Sequence, residues 1–179
     1  MELCGNKLLL VTVDFNPTEN VVKWVDQILG QYPDHLAIVA THSYINKKGE
    51  IRTSEKGDTM FPLGYTADKL WDLVLRKHKN LIMVTCGHVD ALDPVYSTKI
   101  GDHGNTVHQF LINPQGYDTK EDENGSILKG KQDTGMVLYM NFSADCSKVT
   151  FDNYATLLNK ELAANTDTEI TLFEKNPLL

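Results

Sequence analysis

With 179 residues, 41% of them hydrophobic and 23% charged, the chain has enough apolar side chains for one domain with a real core and no length that demands a second. A net charge of −7 at neutral pH, with lysines and arginines scattered, excludes the basic footprint of a nucleic-acid binder. No apolar run approaches the roughly 18–20 residues of a membrane span, so a soluble single domain over residues 1–179 is expected.

The opening MELCGNKLLLVTVDF carries Lys7 inside its apolar run and lacks a small-residue cleavage site, so it reads as a strand near residues 7–14 rather than a signal peptide. The compartment stays open: cytoplasmic, or exported if a parent chain carries a signal. Asn16-Pro17-Thr18-Glu19 has the capping residue, first-turn proline and early acid of a helix start. Val21, Trp24, Val25 and Ile28 recur at helical spacing and predict a buried stripe, which Gly30 and Pro33 end. Leu36 to Thr41 returns as a second strand. Strand, helix and strand joined this tightly predict a right-handed βαβ unit with parallel strands.

From Ser43 to Tyr65 the periodicity is lost and a long loop is expected, of the kind that faces a substrate. Thr66 then caps a helix carrying Leu70, Trp71, Leu73 and Val74, which ends near His78 to Asn80. Leu81 to Cys86 is a third apolar strand, completing a second βαβ unit. Downstream, Thr106 to Asn113, Thr134 to Phe142, Lys148 to Tyr154 and Thr168 to Phe173 alternate polar and apolar residues, which predicts antiparallel strands in a second sheet or an extension of the first. Asp118 to Asp133 is the most polar stretch. The fold class expected is α/β, with parallel βαβ units followed by antiparallel strands.

The second and third strands each run into a histidine, in LAIVATH and LIMVTCGHVD. In open α/β sheets ligands sit at the carboxyl ends of the strands, so His42 and His88, with Asp90 two residues on, form a candidate metal site. The competing reading makes each a loop histidine bonded to backbone. Asp14 also follows a strand, but before Asn-Pro it reads as turn chemistry. His103 between glycines suits a turn as well as it suits a functional role, His108 suits a satisfied core or sheet-face position, and His35 and His78 read as surface positions. Cys86 before Gly87-His88 admits a nucleophile, although its place at the end of an apolar run favours a structural thiol. Cys4, Cys86 and Cys146 are an odd number at wide spacing, which predicts free thiols.

Thr41-His42-Ser43-Tyr44, Trp71-Asp72-Leu73-Val74, Lys77-His78-Lys79-Asn80 and Val84-Thr85-Cys86-Gly87-His88-Val89, followed by Gly104-Asn105-Thr106-Val107-His108-Gln109, together resemble the C-terminal half of calcineurin-like metallophosphoesterases. The resemblance covers nearly the whole chain. It implies half of that family's α/β sandwich and a site where two divalent ions, manganese, iron or zinc, activate water to hydrolyse phosphomonoesters or phosphodiesters. It also implies that His42 and His88, the first histidine of a G-H-x-H motif, bind one ion. Asp90 stands where that motif has its second histidine, as a ligand of the other ion. The upstream D-x-H, G-D-x-x-D and G-N-H-[DE] motifs are absent. The chain is therefore expected to be a C-terminal portion with little activity alone, taking a phosphoester only when a complementing N-terminal half, or a second copy of itself, completes the site. The alternative is a non-catalytic α/β binding or scaffold module that retains the fold.

Overall fold

The computed structural model describes residues 1–53, 64–113, 117–121, 127–129, 135–156, 159–162 and 169–172. The chain divides into two compact units, residues 1–89 with 95–111 and residues 90–94 with 112–179. In chain order the strands are β1 Glu2–Leu3, β2 Asn6–Val13, β3 Leu36–Thr41, β4 Leu81–Cys86, β5 Ala91–Ile100, β6 Thr106–Asn113, β7 Tyr117–Glu121, β8 Ile127–Lys129, β9 Met136–Phe142, β10 Lys148–Ala155, β11 Lys160–Leu162 and β12 Ile170–Thr171. Two helices, α1 Glu19–Gln31 and α2 Ala67–Leu73, join the first parallel strands.

A six-stranded mixed sheet has the order β1-β2-β3-β4-β6-β5. β2, β3 and β4 run parallel in the order the βαβ units predict, with Val13 beside Thr41 and Thr41 beside Cys86 in the last common row. The three strands therefore finish at one rim, and the next residues along each chain, Asp14, His42 and Gly87, leave the sheet side by side. β4 is buried at five of six positions, as expected of an internal parallel strand.

Several predicted elements differ in detail. The stripe of α1 that is buried is Val22, Val25 and Leu29, whereas Trp24 is 45% exposed. The helix starts at Glu19 with Thr18 at the cap position, and the predicted Val21 and Ile28 flank the buried stripe as half-buried residues. α2 is shorter than predicted: it stops at Leu73, and a single 3₁₀ turn at Leu75–Lys77 carries the chain on to β4. Val74 and Trp71 are buried as predicted, but Leu73 is exposed. Within the predicted loop, Ile45 and Ile51 bridge across a turn, and residues 54–63 lie outside the described residues.

Thr106 to Asn113 extends the first sheet: β6 pairs in parallel with β4, His108 standing opposite Met83 and Leu111 opposite Cys86, and has β5 as its other neighbour. Val107 to Leu111 are all buried, so the alternation in the letters does not mark a wet face. His108 and Gln109 are polar residues held inside the fold, through Tyr96 Oη to His108 Nδ1 at 2.9 Å and Gln109 Nε2 donating to Ser97 Oγ at 3.0 Å, while Gln109 Oε1 is buried without a partner. Their partners come from β5, a strand that Asp93, Pro94 and the polar run at 97–99 hid from the periodicity. As the last strand of the sheet, β5 tolerates a proline that an internal strand would not.

In the second unit, β9, β11 and β12 all pair antiparallel with β10, as the alternating segments predict. Val137, Tyr139 and Asn141 are exposed while Leu138, Met140 and Phe142 are half-buried, the face separation expected from β9. β7 and β8 form an antiparallel pair within the polar stretch; its residues 122–126 and 130–133 lie outside the described residues. Among the cysteines only Cys86 is free; Cys4 and Cys146 are disulfide-bonded. Wide spacing along a chain carries no information on proximity in space, which is why the expectation of three free thiols fails. No described helix is long and apolar enough to cross a membrane.

Candidate functional site

β3 and β4 end as neighbours, and each hands its chain to a loop that opens on a polar residue. Gly87 N–H donates to the His42 carbonyl at 3.0 Å, which ties the two loops together just past the sheet. Val89 N–H then donates to the Gly87 carbonyl at 2.9 Å, closing a three-residue turn centred on His88. His88 has φ of 69°, in the left-handed region, where a residue with a Cβ is disfavoured by roughly 1 kcal/mol or more. Such turns are rare, and strain of this kind concentrates at functional sites. Here it aims the imidazole at its neighbour.

The two imidazoles meet. His42 Nε2 and His88 Nδ1 are 2.9 Å apart, one ring donating and the other accepting, with the ring planes at 61°. Phe15, from the turn after β2, packs on both: its ring lies 4.9 Å from that of His42, edge to face, and 5.3 Å from that of His88. Thr12, Val13, Asp14, Phe15, Ala40, Thr41, His42 and His88 line an open cleft of about 530 Å³ over this rim. His42 is exposed and His88 half-buried, so the pair faces the cleft rather than a dry core.

The separation of the two nitrogens bears on what they can hold. Two imidazole nitrogens each about 2.0–2.1 Å from one ion stand about 2.9 Å apart at a right angle and about 3.3–3.4 Å apart at the tetrahedral angle of zinc. The His42 and His88 nitrogens, at hydrogen-bond distance, are close enough for both rings to turn a nitrogen toward one divalent ion, with neutral imidazole the ligand form suited to zinc or iron. Among the described residues no group of three or more His, Cys, Asp or Glu side chains is arranged to hold an ion, so further donors to such an ion would have to be added to the pair. Asp90 is exposed, precedes β5 and belongs to the second unit.

The other candidates separate cleanly from this rim. Cys86 is buried and receives the Ile45 N–H at 3.5 Å; burial pushes its thiol up, which suits a structural thiol and not a nucleophile. His103 sits in a turn, its Nε2 donating to the Lys77 carbonyl at 3.1 Å. His78 is not a surface residue: its side chain is 12% exposed and bonds Asp26 of α1 through Nε2 at 2.8 Å. Sequence reasoning passed over Phe15 and took Asp14 for turn chemistry. The signal that finds both is the one that found the histidines, since they are the first residues past the third strand that ends at this rim.

The fold and the strand-end cleft define an α/β protein with a two-histidine site at the carboxyl rim of a parallel sheet. No protein-family model matches the chain. It is 26% identical over 116 residues, 63% of its own length, to the uncharacterized protein YvnB of Bacillus subtilis (strain 168). The chain spans about 8% of the length of that curated relative.

Proposed function

We propose that this chain is the C-terminal portion of a metal-dependent phosphoesterase of the calcineurin-like type, contributing half of an α/β sandwich and part of a two-ion site. His42 and His88 bind one divalent ion, manganese, iron or zinc, and Asp90, at the place of the second histidine of G-H-x-H, is the carboxylate assigned to the other. When bound, the ions supply an activated water for attack on a phosphomonoester or phosphodiester. The remaining ligands come from a complementing N-terminal half or from a second copy of the chain. The observation that supports this reading is the 2.9 Å approach of His42 Nε2 to His88 Nδ1 at the ends of adjacent parallel strands, two residues 46 apart in sequence brought within hydrogen-bond distance of each other.

The test is hydrolysis of an aryl phosphate with added manganese or zinc, run beside calorimetry of metal binding. The chain alone is expected to bind a divalent ion through both histidines and to turn over little or no substrate. Robust turnover by the chain alone, abolished in His88→Ala, would overturn the claim that it is incomplete. Metal binding that is absent, or indifferent to both histidines, would leave a non-catalytic α/β binding module as the better reading.

A further inference from the structure

We infer that Asp14 is the acidic member of the His42–His88 site, acting from beside the ion as the acceptor that holds its bound water, a role that rests on the metal reading above. Three parallel strands end in one row, Val13, Thr41 and Cys86, and the residues that follow are Asp14, His42 and the Gly87-His88 turn. Two of these three strand ends carry the imidazole pair. The third carries an exposed carboxylic acid that lines the same cleft.

Asp14 and the residues after it are held in place. Thr41 Oγ1 donates to the Asp14 carbonyl at 3.3 Å, across from β3. The next residue, Phe15, packs on both imidazole rings. Asn16 follows with φ of 47°, and Gly64 lies so close to its carbonyl that a Cβ there would collide with backbone; Tyr65 N–H donates to the Pro17 carbonyl at 2.9 Å. The turn that carries Asp14 is thus tied to β3 at its start and to the 64–65 segment at its end.

The chemistry asks for such a group. Two neutral imidazoles leave a divalent ion's charge uncompensated, and a carboxylate outside the ligand set offsets it while accepting a proton-bearing ligand's hydrogen bond. Asp14 does not complete a three-residue ligand group with the histidines, so a water between it and the ion is the arrangement that the cleft allows.

Calorimetry of the chain with Zn²⁺ or Mn²⁺ alone tests this without reference to turnover. Asp14→Asn is expected to weaken metal affinity roughly 10-fold, the scale of outer-partner losses, while Asp34→Asn, at an exposed position before β3, changes it less than about twofold. Asp14→Glu, which keeps the charge, should recover most of the loss. If both histidines prove necessary for binding and Asp14→Asn binds as wild type, the inference is wrong and the metal reading survives. If wild type binds no ion, both fall together. Should Asp14→Asn lose its thermal transition, Asp14→Glu decides: near-wild-type affinity supports the role, and a loss of 10-fold or more in a folded protein overturns it.

Discussion

His108 and the His42–His88 pair lie on neighbouring strands of one sheet, yet their surroundings assign them opposite work. His108 sits inside β6, 2% exposed, bonded to Tyr96 and stacked on its ring at 6.0 Å. His42 and His88 sit one or two residues past the ends of β3 and β4, at an open cleft, and bond to each other. A residue within a strand has its neighbours fixed by register, so its polar atoms find partners in the fold itself. A residue just past the strand end is placed by the sheet but not enclosed by it. Position relative to the rim, more than residue type, separates a histidine enclosed by the sheet from one that faces a cleft.

The sharpest way to break that comparison is to exchange effects between the two places. His42→Ala or His88→Ala is expected to reduce divalent-metal affinity by more than the roughly 100-fold upper end for outer partners, with little loss of stability. His108→Phe should leave metal binding unchanged. It should cost about 1 kcal/mol in urea denaturation, because it removes a part-buried hydrogen bond to Tyr96. Metal affinity that follows His108 instead would dissolve the distinction.

A smaller effect sharpens it further. Because φ at His88 is 69°, His88→Gly should be more stable than His88→Ala by about 0.5–1 kcal/mol, although both lose the imidazole. Equal stabilities would show that the turn carries no strain.

The smallest effect lies in the second unit, away from any histidine. Ser143 Oγ donates to Asp145, as do the Ser147 N–H and hydroxyl, and together they hold its carboxyl down at about 2 from an ordinary 3.8. A carboxyl whose folded value is depressed contributes stability that is present above its unfolded value and lost as pH falls through the folded one. The gap between wild type and Asp145→Asn should therefore be constant above about pH 4 and close toward pH 2, as read by thermal melts across that range. A gap that widens on acidification would contradict the hydrogen bonds around this turn.

Much of the framework was legible because it rests on local patterns. LLLVTV, LAIVAT and LIMVTC are continuous apolar runs between turn residues; burial on both faces of parallel strands produces that pattern in LIMVTC, whereas LLLVTV leaves Leu10 and Thr12 exposed. The antiparallel strands β9 and β10 were legible because one face of each is wetter than the other. The neighbours of β6 were less legible. His108 and Gln109, which point to opposite faces, find their partners Tyr96 and Ser97 on a strand with no periodic signal. The helix face of α1 slipped because packing, not the apolar letters alone, selects which of Val21, Val22, Trp24, Val25, Ile28 and Leu29 are buried.

What the chain's letters determined alone is the succession of apolar runs and the residue that follows each: aspartate after the first, histidine after the second, glycine and histidine after the third. Tertiary structure decided which runs became neighbours, and so which of those end residues share a cleft. Strand order and register are set by long-range packing, which periods of two and 3.6 residues do not encode. That is the physical reason His42 could be matched to His88 by expectation, while Asp14 and Phe15 joined them only once three strand ends were aligned at one rim.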